Sequence, residues 1–248
     1  MAQVFPLSEG VFTIGHDKIF HPFDLEKDIL NERPIGSLLV EVQPFLVITS
    51  SDILLLDAGL GFNSSNGQLQ IHDNLAKLGY SPKDVTKVLL THLHKDHAGG
   101  ISFKNNRGEV QLSFPNAQYF IHSNEVKAAM DIGYPSYIPE ELVPVIDSDN
   151  IVLLNGEEGF IGDDIFFQHS GGHSKEHIVF LIDDGIDKIF FGGDEAPQLK
   201  QMKIKYVAKY DFDGKKAMEL RAIYAEKGKS ENWQFLFYHD VQHPIAIL

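Results

Sequence analysis

The chain has no cysteine, which removes disulfides, thiolate metal sites and cysteine nucleophiles from the chemistry open to it. It has no apolar run approaching the ~20 residues of a membrane-spanning helix, so no membrane role is expected. Basic residues are few: 21 Lys and Arg against 35 Asp and Glu, a formal charge of −14. Binding duplex nucleic acid needs a basic face, so no nucleic-acid partner is expected either. The N-terminus lacks a basic stretch followed by an apolar one, which makes the cytoplasm the expected compartment. No linker, low-complexity stretch or repeat breaks the sequence, and residues 1–248 read as a single domain.

Apolar residues, in contrast, make up 43% of the chain and aromatics 11%, enough for a packed core. Histidine is plentiful, at 12 residues, and its placement is uneven. His92, His94, Asp96 and His97 fall within six positions, after the apolar Val88-Leu89-Leu90 and before Gly99-Gly100. Imidazole nitrogen and carboxylate oxygen are ligand types for first-row divalent metals. Alternate residues of an extended segment point the same way, so His92 and His94 can converge on one ion. Asp96 and His97, past the strand end, can face a second. These four cannot close two sites, so other segments must supply ligands.

Apolar patterning predicts strands over 11–14, 38–49, 53–57, 87–91, 118–122, 151–154, 165–168, 178–182, 188–192 and 232–238. It predicts helices over 24–30, 69–78, 123–130 and 214–227, the third capped by Ser123 and the last with Ala217, Leu220, Ile223 and Tyr224 on one face. Strands alternating with helices and ligand loops indicate a layered α/β domain. Ligand-type residues recur at strand ends: Asp57, His173 after two glycines, Asp194 after two glycines, and His239. Asp57 reads equally as a cap and as a group orienting a ligating histidine. Glu195 competes with Asp194. The remaining histidines carry local or surface roles: His16, His21, His72 and His243 face solvent, His177 opens a buried strand, His122 bonds locally and His169 has no evident partner. Residues 131–150, with Pro135, Pro139 and Pro144, are the least regular part and are expected to border the substrate pocket. Residues 198–210 form a lysine-rich rim, and 241–248 a tail.

The ordered set His92-x-His94-x-Asp96-His97-x-Gly99-Gly100, Gly-Gly-His173, Gly-Gly-Asp194 and Tyr-His239 resembles the metallo-β-lactamase superfamily over nearly the whole chain. The resemblance implies an α+β fold, a four-layer αββα sandwich with metals at one edge of the two sheets. It implies that His92, His94 and His173 hold one metal, that Asp96, His97 and His239 hold another, and that Asp194 bridges them, with Asp57 behind a ligand. The cofactors implied are two divalent ions, zinc in the first place and iron or manganese as alternatives. A water acidified between them attacks a carbonyl, with Asp96 orienting it or moving its proton. The spacing is most similar to the N-acyl-homoserine lactonase branch, which implies a small ester or lactone as substrate. A thioester or phosphodiester hydrolase, or an iron redox enzyme, is the alternative. Those lactonases often place a tyrosine shortly after the bridging aspartate, where this chain has Glu195, Ala196 and Pro197. Tyr134 and Tyr137 are the candidates to replace it. Oligomeric state is open, and a dimer is allowed.

Overall fold

A computed structural model describes residues 2–105 and 107–248. Runs such as Phe45–Ile48 and Ile53–Leu56 are apolar at successive positions, the pattern of strands covered on both faces. Side chains of a strand alternate sides, so each run serves two cores. Phe45, Val47, Leu54 and Leu56 point into one buried cluster, and Leu46 and Leu55 into another.

The first part of the chain runs β1 (Gln3–Pro6), β2 (Gly10–Ile14), β3 (Phe20–Pro22), β4 (Leu38–Val42), β5 (Phe45–Ile48), β6 (Ile53–Leu56), α1 (Gln70–Lys77), β7 (Lys87–Leu89), α2 (Lys95–Ala98), β8 (Ser102–Lys104), β9 (Val110–Leu112), β10 (Gln118–His122), α3 (Ser123–Ile132), α4 (Pro139–Ile146) and β11 (Ile151–Leu154). The second runs β12 (Glu158–Ile161), β13 (Ile165–His169), β14 (Ile178–Asp183), β15 (Lys188–Phe191), α5 (Leu199–Lys203), α6 (Gly214–Glu231), β16 (Gln234–Leu236) and β17 (Ile245–Ile247). One six-stranded sheet has the order β1-β5-β6-β7-β10-β11, the other β12-β13-β14-β15-β16-β17. Smaller sheets have the orders β3-β2-β4 and β8-β9, and Phe12, Phe20, Val40 and Val42 of the former join the cluster between the large sheets. Strands β6, β7, β10 and β11 are mutually parallel, so β6, β7 and β10 end at the same edge.

The three buried clusters define four layers. Phe45, Leu56, Leu89 and Phe120 meet Phe167, Phe180, Ile189 and Phe191 between the two large sheets. The outer face of the first sheet packs on Ile71 and Leu75 of α1, Ala129 of α3 and Leu142 and Val145 of α4. The outer face of the second packs Phe190, Phe235 and Phe237 on Met202 of α5 and Tyr224 of α6. The fold is therefore the expected α+β sandwich, in the order α, β, β, α.

Several local expectations are corrected. The strand over 38–49 is two strands in two sheets: Pro44, which has no N–H to give to a ladder, divides β4 from β5, and its carbonyl accepts from the Leu7 N–H at 2.7 Å. Residues 24–29 form turns and no α-helix, because the Asp24 carboxylate accepts from the Glu26 N–H at 2.9 Å and closes an Asx turn; Leu30 opens a single 3-10 turn, Leu30–Glu32. Residues 131–150 contain α4, which starts at Pro139 and carries Glu140 and Glu141 in its first turn, as helix N-termini favour. The tail over 241–248 ends in β17, paired antiparallel with β16. His72 is half-buried, its Nε2 3.0 Å from the Ser113 carbonyl, and does not face solvent. Ser123 is the first residue of α3 and does not cap it; its hydroxyl donates to Asn155 Oδ1. On α6, Arg221 is buried with Ala217 and Tyr224, whereas Ile223 is 56% exposed. No helix among the described residues is long and apolar enough to cross a membrane.

Candidate metal centre

The edge where β6 and β7 end carries Asp57 and the loop from Thr91 to Gly100. Asp57 has φ of +54°, a left-handed conformation that turns the chain sharply out of β6. Its carboxylate accepts from the Thr91 N–H at 2.8 Å and the Thr91 hydroxyl at 2.9 Å, and lies 2.7 Å from His97 Nδ1. Asp57 is thus an orienting group and not a helix cap. Gly99 and Gly100 are required by contact: a Cβ on either would lie 2.4 Å from the Leu60 carbonyl oxygen or 2.1 Å from that of Ala58. Their absence of side chains lets the turn after β6 close on the loop after β7.

His92 Nε2 and His94 Nδ1 are 2.9 Å apart, and His173 Nε2 is 3.2 Å from His94 Nδ1. These three nitrogens form one group of potential ligand atoms. In a second group, Asp96 Oδ2 lies 3.7 Å from His97 Nε2 and 3.5 Å from His239 Nε2. Asp194 divides its oxygens between them. Oδ2 is 3.2 Å from His173 Nε2, while Oδ1 is 3.2 Å from His97 Nε2 and 3.0 Å from His239 Nε2. All seven candidate ligands of the sequence reading therefore meet at one place.

The far nitrogens of four of these rings are tied down. His97 Nδ1 meets Asp57, His173 Nδ1 meets Asp211 Oδ1 at 3.0 Å, His239 Nδ1 donates to the Glu41 carbonyl at 2.6 Å, and His92 Nδ1 meets the Thr91 hydroxyl at 3.1 Å. A proton held on Nδ1 leaves the Nε2 lone pair turned inward, the form a metal requires. His94 is reversed, with Nδ1 inward. Its ring is set by packing: the Tyr137 ring lies 4.8 Å away. Beside Tyr137, Glu125 Oε1 accepts from the Leu93 N–H at 2.9 Å, between His92 and His94.

The electrostatics of the protein-only cluster are unbalanced. Burial works to lower the pKa of His97, but Asp194, Asp96 and Asp57 outweigh it and hold it well above the usual imidazole value. His173 and His239 are raised in the same way, against burial, by Asp194 together with Asp211 or Asp96. His92 and His94 are pushed well down by burial and by neighbouring imidazoles. His97 Nε2 and Asp194 Oδ1 are buried without a hydrogen-bond partner. Buried polar atoms are nearly always satisfied, so an orphaned imidazole nitrogen facing an orphaned carboxylate oxygen fits a cation between them. The donor set of nitrogen and carboxylate oxygen suits a divalent ion such as zinc.

Other candidates fall outside the cluster. The Glu195 side chain turns away, Oε2 accepting from the N–H groups of Gly172 at 3.0 Å and His173 at 3.3 Å. Tyr134 is 62% exposed and its hydroxyl donates to Glu140 at 2.5 Å. Tyr137 is buried, its ring packed against that of His94. His122 Nε2 meets the Gly156 carbonyl at 3.2 Å, and His177 Nδ1 meets the Ser170 hydroxyl at 2.9 Å. His169, without a partner in the sequence reading, lies 3.3 Å from Glu157 and 3.7 Å from Glu176. Sequence reasoning missed Asp211, Glu125 and Thr91. It missed also Tyr238, which stacks 4.1 Å from His97 and donates to the Asp96 carbonyl at 2.6 Å. Thr91 and Tyr238 adjoin ligand-type residues, which was a usable signal; Asp211 and Glu125 carried none.

A four-layer αββα sandwich with this histidine and aspartate cluster at one sheet edge defines a class, and the sequence agrees. Residues 40–231 match the model of the metallo-beta-lactamase superfamily, and the chain belongs to it. Among curated proteins, it is 22% identical over 167 residues to an atrochrysone carboxyl ACP thioesterase from Passalora fulva, covering 67% of this chain and 41% of that one. It spans, then, about two fifths of that relative's length. It is 23% identical over 227 residues to an N-acyl homoserine lactonase from Bacillus thuringiensis, covering 84% of each. Among solved structures, a dizinc quorum-quenching lactonase in complex with a product superposes with a TM-score of 0.73 at 20% identity, over 99% of this chain and 90% of that one.

Proposed function

We propose that the chain is a dinuclear metal-dependent hydrolase that opens a small ester or lactone. One observation carries this: two groups of ligand atoms share Asp194 through separate oxygens. His92, His94 and His173 would hold one ion, Asp96, His97 and His239 the other. Two divalent ions such as zinc, if bound there, would supply Lewis acidity to a water and to the substrate carbonyl. The protein's own part is orientation and proton handling. Asp57, Asp211 and the Glu41 carbonyl fix three rings by their Nδ1 protons, so that no ring rotation is needed during turnover. Asp96, placed beside His97 and His239, orients the attacking water or carries its proton to the leaving oxygen.

Metal analysis of the purified protein, with a panel of lactones, thioesters and phosphodiesters, tests the reading. Two ions per chain are expected, and His97→Ala should lose one of them together with about 10²-fold or more of the hydrolysis. If that variant kept both ions and full activity, the dinuclear reading would fail. Reloading with iron or manganese against zinc decides the metal and the redox alternative. A thioester is the second reading, favoured because Glu195, Ala196 and Pro197 put no tyrosine where the lactonases often carry one, and Tyr137 is enclosed.

A further inference from the structure

The acidic chain has one concentrated basic segment. Residues 198–216 carry Lys200, Lys203, Lys205, Lys209, Lys215 and Lys216 against only Asp211 and Asp213, in a protein of formal charge −14. Both aspartates are engaged: Asp211 holds His173, and Asp213 caps α6 by accepting from the Lys216 N–H at 3.0 Å. All six lysines are exposed. Among the described residues only Lys215 of the six has an ion pair, a solvent-exposed one to Glu219 at 3.8 Å. Between them stand large apolar side chains that the fold leaves in water: Ile204 at 48% exposure, Val207 at 53% and Phe212 at 65%; Tyr210 is partly exposed, with its ring 6.0 Å from that of His173.

The segment is fastened to the candidate metal centre at both ends. At its start, Gln198 Nε2 donates to the His239 carbonyl at 3.1 Å, and the Leu199 N–H to Asp240 Oδ2 at 2.9 Å. At its end, the Phe212 N–H donates to the His173 carbonyl at 2.9 Å, beside the Asp211 contact to the His173 ring. Midway, Arg221 of α6 donates to the Tyr206 carbonyl. The segment therefore runs along the centre from one candidate ligand of each metal group to the other. Near His94, Lys95 Nζ donates to the Lys18 carbonyl at 2.5 Å, and Lys18 Nζ to the Ser136 hydroxyl at 2.6 Å, placing two more cations at the rim.

We propose that this segment docks an acidic protein that presents an acyl thioester to the metal centre. The inference rests on the hydrolase reading and names the partner and substrate class for it. A neutral lactone offers these lysines nothing to recognise. A small anion is held by donors converging on one point, whereas here unpaired lysines are strung along 17 residues and alternate with apolar side chains. Exposed apolar anchors framed by unpaired charges are the anatomy of a protein contact, and the charges steer an oppositely charged partner. The reaction balances as hydrolysis. The oxygen of water bonds to the carbonyl carbon, the C–S bond breaks, one proton of water goes to the sulfur, and the other is released as the acid ionises. The products are a carboxylate, a thiol-bearing carrier and a proton.

The test compares one hexanoyl group on two thiols: an acidic acyl carrier protein, and the small neutral thiol N-acetylcysteamine. For the zinc-loaded protein, kcat/KM should favour the carrier by ~10-fold or more at low salt, and the preference should shrink as ionic strength passes ~0.15 M. Lys203→Glu with Lys205→Glu and Lys209→Glu should abolish the preference and leave the small thioester unchanged, since none of these lysines touches the centre. Binding of a carrier bearing a non-hydrolysable hexanoyl amide, followed by isothermal titration, should be salt-sensitive and lost in the same variant. Equal efficiency on both thiols, or an unchanged triple variant, overturns the proposal. So does a preference for acyl-coenzyme A over the carrier, or tighter binding to RNA or to anionic vesicles than to the carrier. Titration that shows carrier binding while no ester or thioester is hydrolysed would leave the docking surface standing and remove the hydrolase reading.

Discussion

Asp57 shows how much a single side chain does in this fold. Its left-handed backbone turns the chain, and its carboxylate joins Thr91 to His97. Asp57→Asn keeps the shape but reverses the hydrogen-bond sense at His97 Nδ1. We expect a 10–100-fold loss of affinity for the ion at His97, read by competition with a chromophoric chelator; unchanged affinity would remove Asp57 from its orienting role. Glu9 is a second case. It is 5% exposed, its Oε2 accepts from the Leu60 N–H at 2.6 Å, and burial lifts its pKa to about 8. A carboxyl raised above its unfolded value makes the folded state the better proton binder between about 4.5 and 8. Stability attributable to Glu9 is therefore lost as pH rises through that window. Glu9→Gln should flatten the alkaline decline and gain on the order of 1–3 kcal/mol at pH 8, measured by urea unfolding. Asp57 was legible in sequence because it ends an apolar strand next to Ala58-Gly59. Glu9 was not, since nothing local marks a carboxylate that folds back under a turn fifty residues away.

At the scale of elements, the short turn Gly193–Glu195 sets the position of Asp194. Gly193 has φ of +48°, and a Cβ there would lie 2.6 Å from Thr91 Oγ1. Gly193→Ala combines backbone strain with a clash against the Thr91–Asp57 link, and should cost about 2–4 kcal/mol in the metal-free protein. Gly67→Ala is the control: φ is +80° with nothing within 4 Å, so only the backbone term of about 1–2 kcal/mol remains. Equal losses would argue that Thr91 simply moves aside. The misread elements share a cause. Local apolar patterning does not register where a strand changes partners, so β4 and β5 ran together although Pro44 stood between them. Residues 24–30 had helical spacing, but the Asx turn at Asp24 offered the backbone a competing bond. The Pro-Glu-Glu start of α4 was a helix signal, hidden by the high proline content around it.

The molecule as a whole gathers acid and imidazole at one edge, and metal uptake should carry a proton cost. His97, His173 and His239 are raised in the folded metal-free protein, so their protons must leave before the nitrogens can ligate. Raised imidazoles stabilise the metal-free fold below about pH 6.5, and that stabilisation is lost as pH climbs through the raised values. Zinc binding runs the other way, strengthening as those protons depart. The gap in unfolding temperature between zinc-loaded and zinc-stripped protein should widen from pH 6 to pH 8.5, with proton release visible by calorimetry in buffers of different ionisation enthalpy. A gap independent of pH would contradict the proton-coupled scheme. The architecture was legible as a whole because its motif is spread in order along the chain; the docking role proposed for residues 198–216 was not, since those lysines acquire a place only when Gln198 is seen to touch His239 and Phe212 to touch His173.

Among the described residues the chain passes from one large sheet to the other once, between Leu154 and Glu158, and no strand pairing joins the two sheets. His92, His94, Asp96 and His97 come from before that crossing, and His173, Asp194 and His239 from after it. Ions held by both sets would act as a bolt through two leaves whose only covalent hinge is a turn at residues 155–157. A molecule nicked at Gly156 should then migrate as one particle while loaded with zinc and part more readily once a chelator draws the bolt, so that metal supply would govern the lifetime of the cleaved protein as well as its chemistry.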